Sequence, residues 1–137
     1  MDILFIDDDF VGAGVVIRSI EQFVSNIETA VTAEDALIKV RLRDFDLVLF
    51  NISSTGFDCC ELIRQLKSIC PDIKIVTLTN QNSRELELKI RKLGVIFYMI
   101  KPFKIKVLKD ILEYISKSKE KLRIEKLRKF HHEWTKL

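Results

Sequence analysis

The sequence predicts an α/β protein built from five β-α units, with a doubly wound parallel sheet and helices on both faces. Three observations predict it. Short apolar runs rich in β-branched residues recur five times along the chain. Segments with helical apolar periodicity lie between them. The runs are continuous rather than alternating, which suits strands covered on both faces.

The five runs are 2–6 (DILFI), 28–31 (ETAV), 46–50 (DLVLF), 73–79 (IKIVTLT) and 95–100 (VIFYMI), and only the second is poor in apolar residues. After the first run, Val16, Ile20, Phe23 and Val24 form one helical stripe. Thr32 and Asp35 form a capping box for a helix over 33–43. Leu62, Leu66 and Ile69 mark a third helix, ended by Pro71. Leu86, Ile90 and Leu93 mark a fourth, ended by Gly94. Leu108, Ile111, Leu112 and Ile115 mark the fifth. Regular alternation of strand and helix is the signature of parallel pairing through helical crossovers.

At 137 residues the chain suits one domain with a proper core, and 47% hydrophobic with 31% charged residues argues against disorder. No apolar run approaches the roughly 20 residues that span a bilayer. Four apolar residues followed by three aspartates do not make a signal peptide. The odd set Cys59, Cys60 and Cys70 fits a reduced, cytoplasmic setting, with Cys59 and Cys60 as small packing residues. The net charge of +3 conceals an asymmetry: residues 116–137 carry +5 and the rest −2. The chain therefore divides into a domain over 1–115 and a basic helical extension over 116–137.

In a parallel sheet of this kind, function gathers beyond the C-terminal strand ends. The first run ends in Asp7, Asp8 and Asp9, the third in Asn51, the fourth in Thr79 and Asn80, and the fifth in Lys101 and Pro102. Acids, an amide, a hydroxyl and a lysine would then share one rim.

With these residues in view, the sequence resembles a response-regulator receiver domain over residues 1–115. The resemblance rests on Asp7-Asp8 after ILFI, the strand DLVLFN with its loop SSTGFD, TLTN closing the fourth run, and GVIFYMIKPF. It implies the flavodoxin-like strand order 2-1-3-4-5 and a signalling module of a two-component system or phosphorelay. It also implies roles: Asp7, Asp8, Asn51, Thr79 and Lys101 as the phospho-site pocket, Thr79 and Tyr98 as the switch pair, and Asp7, Asp8 and the Ser53 carbonyl as Mg²⁺ ligands. The Lys101-Pro102 bond is expected cis, with Lys101 against Asp7 or Asp8.

The departures from the family are equally informative. Aspartate is usual where Asn51 stands, proline at Thr55, glycine at Cys59 and a small residue at Asn80. The family's aspartate is its phosphoryl acceptor. An amide nitrogen is conjugated and neutral, and an amide oxygen is a poor nucleophile. Losing one carboxylate also weakens the Mg²⁺ site, because Mg²⁺ favours carboxylate oxygens. The expectation is a pseudo-receiver: not an enzyme, needing no cofactor, with a weak Mg²⁺ site at most, acting through protein contacts with a sensor kinase, an output domain or a second copy.

Two alternatives draw on other features of the sequence or other groupings of its residues. Asp7, Asp9, Thr79 and Lys101 loosely match a haloacid-dehalogenase-like phosphohydrolase, but the acidic pair such enzymes place after the lysine is missing. The basic tail suggests a nucleic-acid-binding adaptor, but Glu120, Glu125 and Glu133 interleave with its bases, which argues for a solvated helix. Nucleic acid and membrane are therefore not expected partners. Gly12-Ala13-Gly14 lacks the third glycine of a dinucleotide fingerprint, with Ile17 in its place.

Two partner surfaces are expected. Ile96, Phe97 and Tyr98 are consecutive, so alternation cannot bury all three on one side. In the tail, Leu127, Phe130, Trp134 and Leu137 recur at spacings of three, four and three, a heptad-like seam on a long continuous helix.

Overall fold

The computed structural model describes residues 1–53, 58–81 and 83–135, and of Phe10 and residues 132–135 the backbone alone. Thr55 and Leu137 lie outside the described residues, as does the side chain of Trp134. Five strands are present: β1 (Asp2–Ile6), β2 (Asn26–Ala30), β3 (Leu47–Asn51), β4 (Ile75–Thr79) and β5 (Phe97–Ile100). The α-helices are α1 (Phe10–Ile20), α2 (Ala33–Leu42), α3 (Cys59–Ile69), α4 (Arg84–Lys92) and α5 (Ile105–Thr135).

All four pairings are parallel, and the strand order is β2-β1-β3-β4-β5. This is the flavodoxin-like order 2-1-3-4-5. The register sets Ile6 beside both Ala30 and Phe50, Asn51 beside Leu78, and Thr79 beside Ile100. The residues that end β1, β3, β4 and β5 therefore come out on one rim.

Both faces of the central strands are buried, which is why their sequences do not alternate. On one face Leu4, Ile6, Val48, Phe50, Ile75 and Tyr98 join Ala36 and Val40 of α2, Leu62, Ile63 and Leu66 of α3, and Ile90 of α4. On the other, Ile3, Phe5, Leu47, Leu49, Val76 and Leu78 are equally buried. β2 is an edge strand with one neighbour, and four of its five residues are only half-buried. Arg43 ties it down, reaching Glu28 on β2 at 3.1 Å and Asp2 on β1 at 3.7 Å.

Each helix of the sheet region starts on a side-chain cap. Asp9, Thr32, Asp58 and Ser83 accept the N–H of Gly12, Asp35, Glu61 and Leu86. After α4 the chain turns at Gly94, whose φ of +90° is a conformation that L side chains rarely adopt. The stripe expected through Phe23 breaks. α1 stops at Ile20, a 3₁₀ turn follows over Glu21–Phe23, and Phe23 is 51% exposed. A 3₁₀ turn advances side chains by 120° rather than 100°, so the apolar stripe cannot pass through it in register.

The chain divides into two compact units, Met1–Phe103 and a second beginning at Lys104. α5 has 31 residues, roughly 46 Å at 1.5 Å per residue. Its Leu108, Ile111, Leu112 and Ile115 are buried; beyond Ile115 the described side chains are exposed, apart from half-buried Ser118. The boundary read from sequence at 115/116 thus falls inside an unbroken helix. It marks where burial ends, because a helical backbone continues on its own hydrogen bonds whatever its faces touch.

Candidate functional site

Three neighbouring strands end in the same local device. At the end of β1, Asp7 Oδ1 accepts the N–H of Asp9 at 2.8 Å. At the end of β3, Asn51 Oδ1 accepts the N–H of Ser53 at 3.1 Å. At the end of β4, Thr79 Oγ1 accepts the N–H of Gln81 at 3.0 Å. In each case a short polar side chain binds the backbone two residues ahead, the Asx or Ser/Thr turn that these residue types favour. The turn fixes the side chain at the rim and sends the chain outward.

Cross-strand bonds join the three turns. Asn51 Nδ2 donates to Asp7 Oδ2 at 3.0 Å. Ser53 Oγ donates to Thr79 Oγ1 at 3.2 Å and accepts the N–H of Asn80 at 2.7 Å. A continuous polar relay thus runs from Asp9 through Asp7, Asn51, Ser53 and Thr79 to Gln81. Asp7 is 4% exposed and Asn51 6%, and Thr79 is fully buried. Such bonds are strong in a dry setting, and leaving any of these groups unpaired there would be costly.

The orientation of the Asn51 amide is determined by its surroundings. Turned over, its oxygen would face the Asp7 carboxylate and its NH₂ would face the Ser53 N–H, and both contacts would repel. The amide therefore presents a donor to Asp7, where a metal site needs an acceptor beside a carboxylate. Its oxygen accepts the Ser53 N–H. Among the described residues no cluster of three His, Cys, Asp or Glu is placed to hold a metal ion. As bonded, the Asn51 amide offers Mg²⁺ no oxygen on the side facing Asp7.

The Lys101-Pro102 bond is cis, and the Lys101 N–H donates to Thr79 O at 2.7 Å, extending β4–β5 pairing to the rim. Among the described residues no ion pair joins Lys101 to Asp7. The reason is chemical. The Asn51 amide already satisfies the inner oxygen of Asp7, so no unpaired second carboxylate at position 51 calls for a cation. Asp8 stands exposed beside the site.

Tyr98 was expected on a partner surface, but it is 8% exposed and lies in the core cluster with Ile6, Phe50 and Ile90. Alternation along β5 turns it inward while its neighbour Phe97 stays half-buried, as does Ile96. The Tyr98 hydroxyl is buried and forms no hydrogen bond among the described residues. Burial, and after it the negative charge of Glu87 and the electrostatic influence of Cys59, push its phenol above the usual range, while the nearby Thr79 hydroxyl acts weakly the other way, short of a formed bond. Cys59 is half-buried, and burial followed by its neighbour Cys60 pushes its thiol up, away from the reactive thiolate.

Some of the machinery was not legible as site residues. Ser53 was expected to matter through its carbonyl, and its hydroxyl proves to be the bridge. Asp9 and Gln81 matter through backbone N–H groups, which leave no mark in a sequence beyond the Asx and Ser/Thr residue two places earlier.

Comparison with known proteins agrees with this architecture. The family profile of the response regulator receiver domain matches residues 3–113. The chain belongs to the response regulator receiver domain family. It is 31% identical over 113 residues to the transcriptional regulatory protein ZraR of Salmonella typhimurium, covering 82% of this chain and 26% of that protein. The chain therefore spans about a quarter of the length of that curated relative. Among solved structures, a receiver domain protein from Methanospirillum hungatei aligns with a TM-score of 0.77 at 26% identity, covering 88% of this chain and 97% of that one. NtrX from Brucella abortus aligns at 0.79 and 26%, covering 93% of this chain and 30% of that one. No helix among the described residues is long and apolar enough to cross a membrane.

Proposed function

We propose that this receiver domain is a pseudo-receiver, a two-component signalling module that works without phosphoryl transfer and acts through protein contacts. The observation that carries the reading is the Asn51 amide, which donates to Asp7 at 3.0 Å and accepts from Ser53 at 3.1 Å. In the family the residue at this position attacks phosphorus. Here its nitrogen lone pair is delocalised, its oxygen accepts from the Ser53 N–H, and its NH₂ is bonded to the neighbouring acid. The domain is then not an enzyme and needs no Mg²⁺, and its setting is cytoplasmic.

Its partners on this reading are a sensor kinase, an output domain or a second copy. Leu127 and Phe130 on α5, with Phe130 65% exposed, supply apolar surface for such a contact. Phe97 and Ile96 supply less than their sequence suggests. The expectation that nucleic acid plays no part finds no support among the relatives, since ZraR is named a transcriptional regulator; a DNA-binding output is compatible with this reading. The receiver match does not favour the phosphohydrolase alternative.

The test is intact mass after incubation with acetyl phosphate and Mg²⁺. The expected result is an unmodified chain. A stable phosphoryl adduct overturns the reading.

A further inference from the structure

Beyond Ile115 one side of α5 changes character. Leu108, Leu112 and Ile115 follow one another at spacings of four and three, and all three are buried. The same alternation of four and three continues through Lys119, Leu122 and Lys126. Residues at these spacings share one side of a helix. The side that reads Leu, Leu, Ile where it is buried therefore reads Lys, Leu, Lys farther along, where Leu122 is exposed.

Two shallow grooves run along this later stretch. One, of about 370 Å³, is lined by Leu122 and Leu127 together with Lys119, Arg123 and Lys126, with no acid among the described residues that line it. The other, of about the same volume, has Ile124 as its apolar residue, and there Glu120 and Glu125 stand among Lys117, Lys121 and Arg128. The second groove balances much of its own charge; the first does not. Arg123 reaches Glu120 only at 3.9 Å, with both side chains well exposed, and such a pair contributes little.

Charge decides what fits the first groove. A second copy meeting it through the same side would set Lys119, Arg123 and Lys126 against themselves. Residues 116–131 hold seven Lys or Arg and two Glu, so like charges would face one another in either orientation. A lipid surface fits no better, because an interfacial helix keeps its cations opposite its apolar sector, whereas here they stand within it. An acidic helix satisfies both parts. Its apolar residues would cover Leu122 and Leu127, and its carboxylates would meet the three cations and fix the register.

We infer that this groove of α5 is a docking site for an acidic amphipathic helix of a partner protein. The inference rests on the reading of the domain as a module that acts through protein contacts, and it names the chemistry of one contact. Lys119 and Lys126 stand where a self-associating helix needs apolar residues, so they exclude the second copy as well as attract the acidic partner.

The probe is a dye-labelled synthetic helix of three heptads, with leucine at its core positions and glutamate beside them. It is titrated with the full chain by fluorescence anisotropy, without Mg²⁺ or phosphodonor. A second peptide carries lysine in place of every glutamate. The acidic peptide is expected to bind roughly tenfold more tightly than the basic one, and less tightly as salt rises. Lys119→Glu/Lys126→Glu should reverse that preference, a gain for the basic peptide that a misfolded protein would not show. Leu122→Ala/Leu127→Ala should weaken the acidic peptide by roughly tenfold.

Equal binding of the two peptides overturns the proposal, as does loss of both in Lys119→Glu/Lys126→Glu with helical circular dichroism unchanged. So does a wild-type dimer in sedimentation that Leu122→Ala/Leu127→Ala dissolves, or co-sedimentation with phosphatidylglycerol vesicles that the same substitutions abolish. Acetyl phosphate and Mg²⁺ separate the two claims. A mass adduct ends the phosphorylation-independent reading and leaves the peptide titration standing. Failed peptide binding with an unmodified mass ends this inference alone.

Discussion

Replacing Asn51 with aspartate exchanges one atom's chemistry and reverses one interaction. The Nδ2 that donates to Asp7 Oδ2 at 3.0 Å becomes a carboxylate oxygen facing another in a site that excludes water. Two unit charges about 4 Å apart repel by about 4 kcal/mol at an effective dielectric of about 20. Losing a hydrogen bond to a charged acceptor adds about 1.5–3 kcal/mol, and relaxation returns part of the total. The net expectation for Asn51→Asp in EDTA at neutral pH is a loss of about 3–5 kcal/mol. At about 3–5 °C per kcal/mol for a chain of this size, the melting temperature falls by roughly 10–25 °C.

A cation or a proton relieves the pair. Mg²⁺ at ten times its dissociation constant returns about 1.4 kcal/mol, with no comparable gain in the wild-type chain. Toward about pH 4–5 the deficit also shrinks, because the folded pair keeps a proton that the unfolded chain has released. Thermal melts of both proteins in EDTA, in Mg²⁺ and across that pH range provide the measurement. With acetyl phosphate the variant is expected to label slowly, since Thr55, Cys59 and Asn80 still depart from the family pattern. An Asn51→Asp protein as stable as wild type in EDTA would refute the reasoning, because it would mean that the amide is not replacing a counter-charge.

Tyr98→Phe removes a buried hydroxyl that has no partner, so denaturant midpoints should rise or hold, with a gain of up to about 1 kcal/mol. The raised phenol gives a pH signature: above about pH 10 the unfolded chain releases the proton while the folded chain keeps it, so wild-type stability falls as pH rises through the folded value, and Tyr98→Phe flattens that fall. Gly94→Ala should cost about 1–2 kcal/mol in chemical denaturation; the cost is conformational, since a Cβ there would meet the end of the Lys67 side chain at ordinary distances, Cε at 3.6 Å and Nζ at 3.8 Å. Phe50→Ala, at the centre of β3, should cost about 3–5 kcal/mol by the same assay. Ser83→Ala removes the cap of α4 and should cost about 1 kcal/mol, with a matching loss of helical circular dichroism confined to the low-denaturant baseline.

Legibility followed burial. β1 was read to its true bounds, and β3 to within one residue, because both faces are covered and the apolar run is continuous. β4 and β5 were read two residues too long at their starts, since Ile73 and Val95 are buried without being in a strand. β2 was read late, at 28–31 instead of Asn26–Ala30, because an edge strand need not be apolar. Ile63 escaped notice although it is fully buried, since the stripe of Leu62 and Leu66 already satisfied the helical period. In the site, the residue types at the rim were all visible. What could not be read was which hydrogen bonds they choose. The contact of Lys101 with the acids was expected from the family resemblance, whereas the bond that Asp7 makes across the rim is to the Asn51 amide.

The three turns at the rim also change how this part of the protein meets solvent in time. The N–H groups of Asp9, Ser53 and Gln81 sit just past the strands, where a loop would ordinarily surrender its amide protons quickly. Each is instead bound to a side chain rooted in the last position of β1, β3 or β4 or just beyond it, and the roots are linked, Asp7 to Asn51 directly and Asn51 to Thr79 through Ser53. Releasing any one proton requires parting the ends of two strands rather than flexing a loop. Deuterium should therefore enter these three amides late and at a common rate, so that the edge of the sheet opens as one unit.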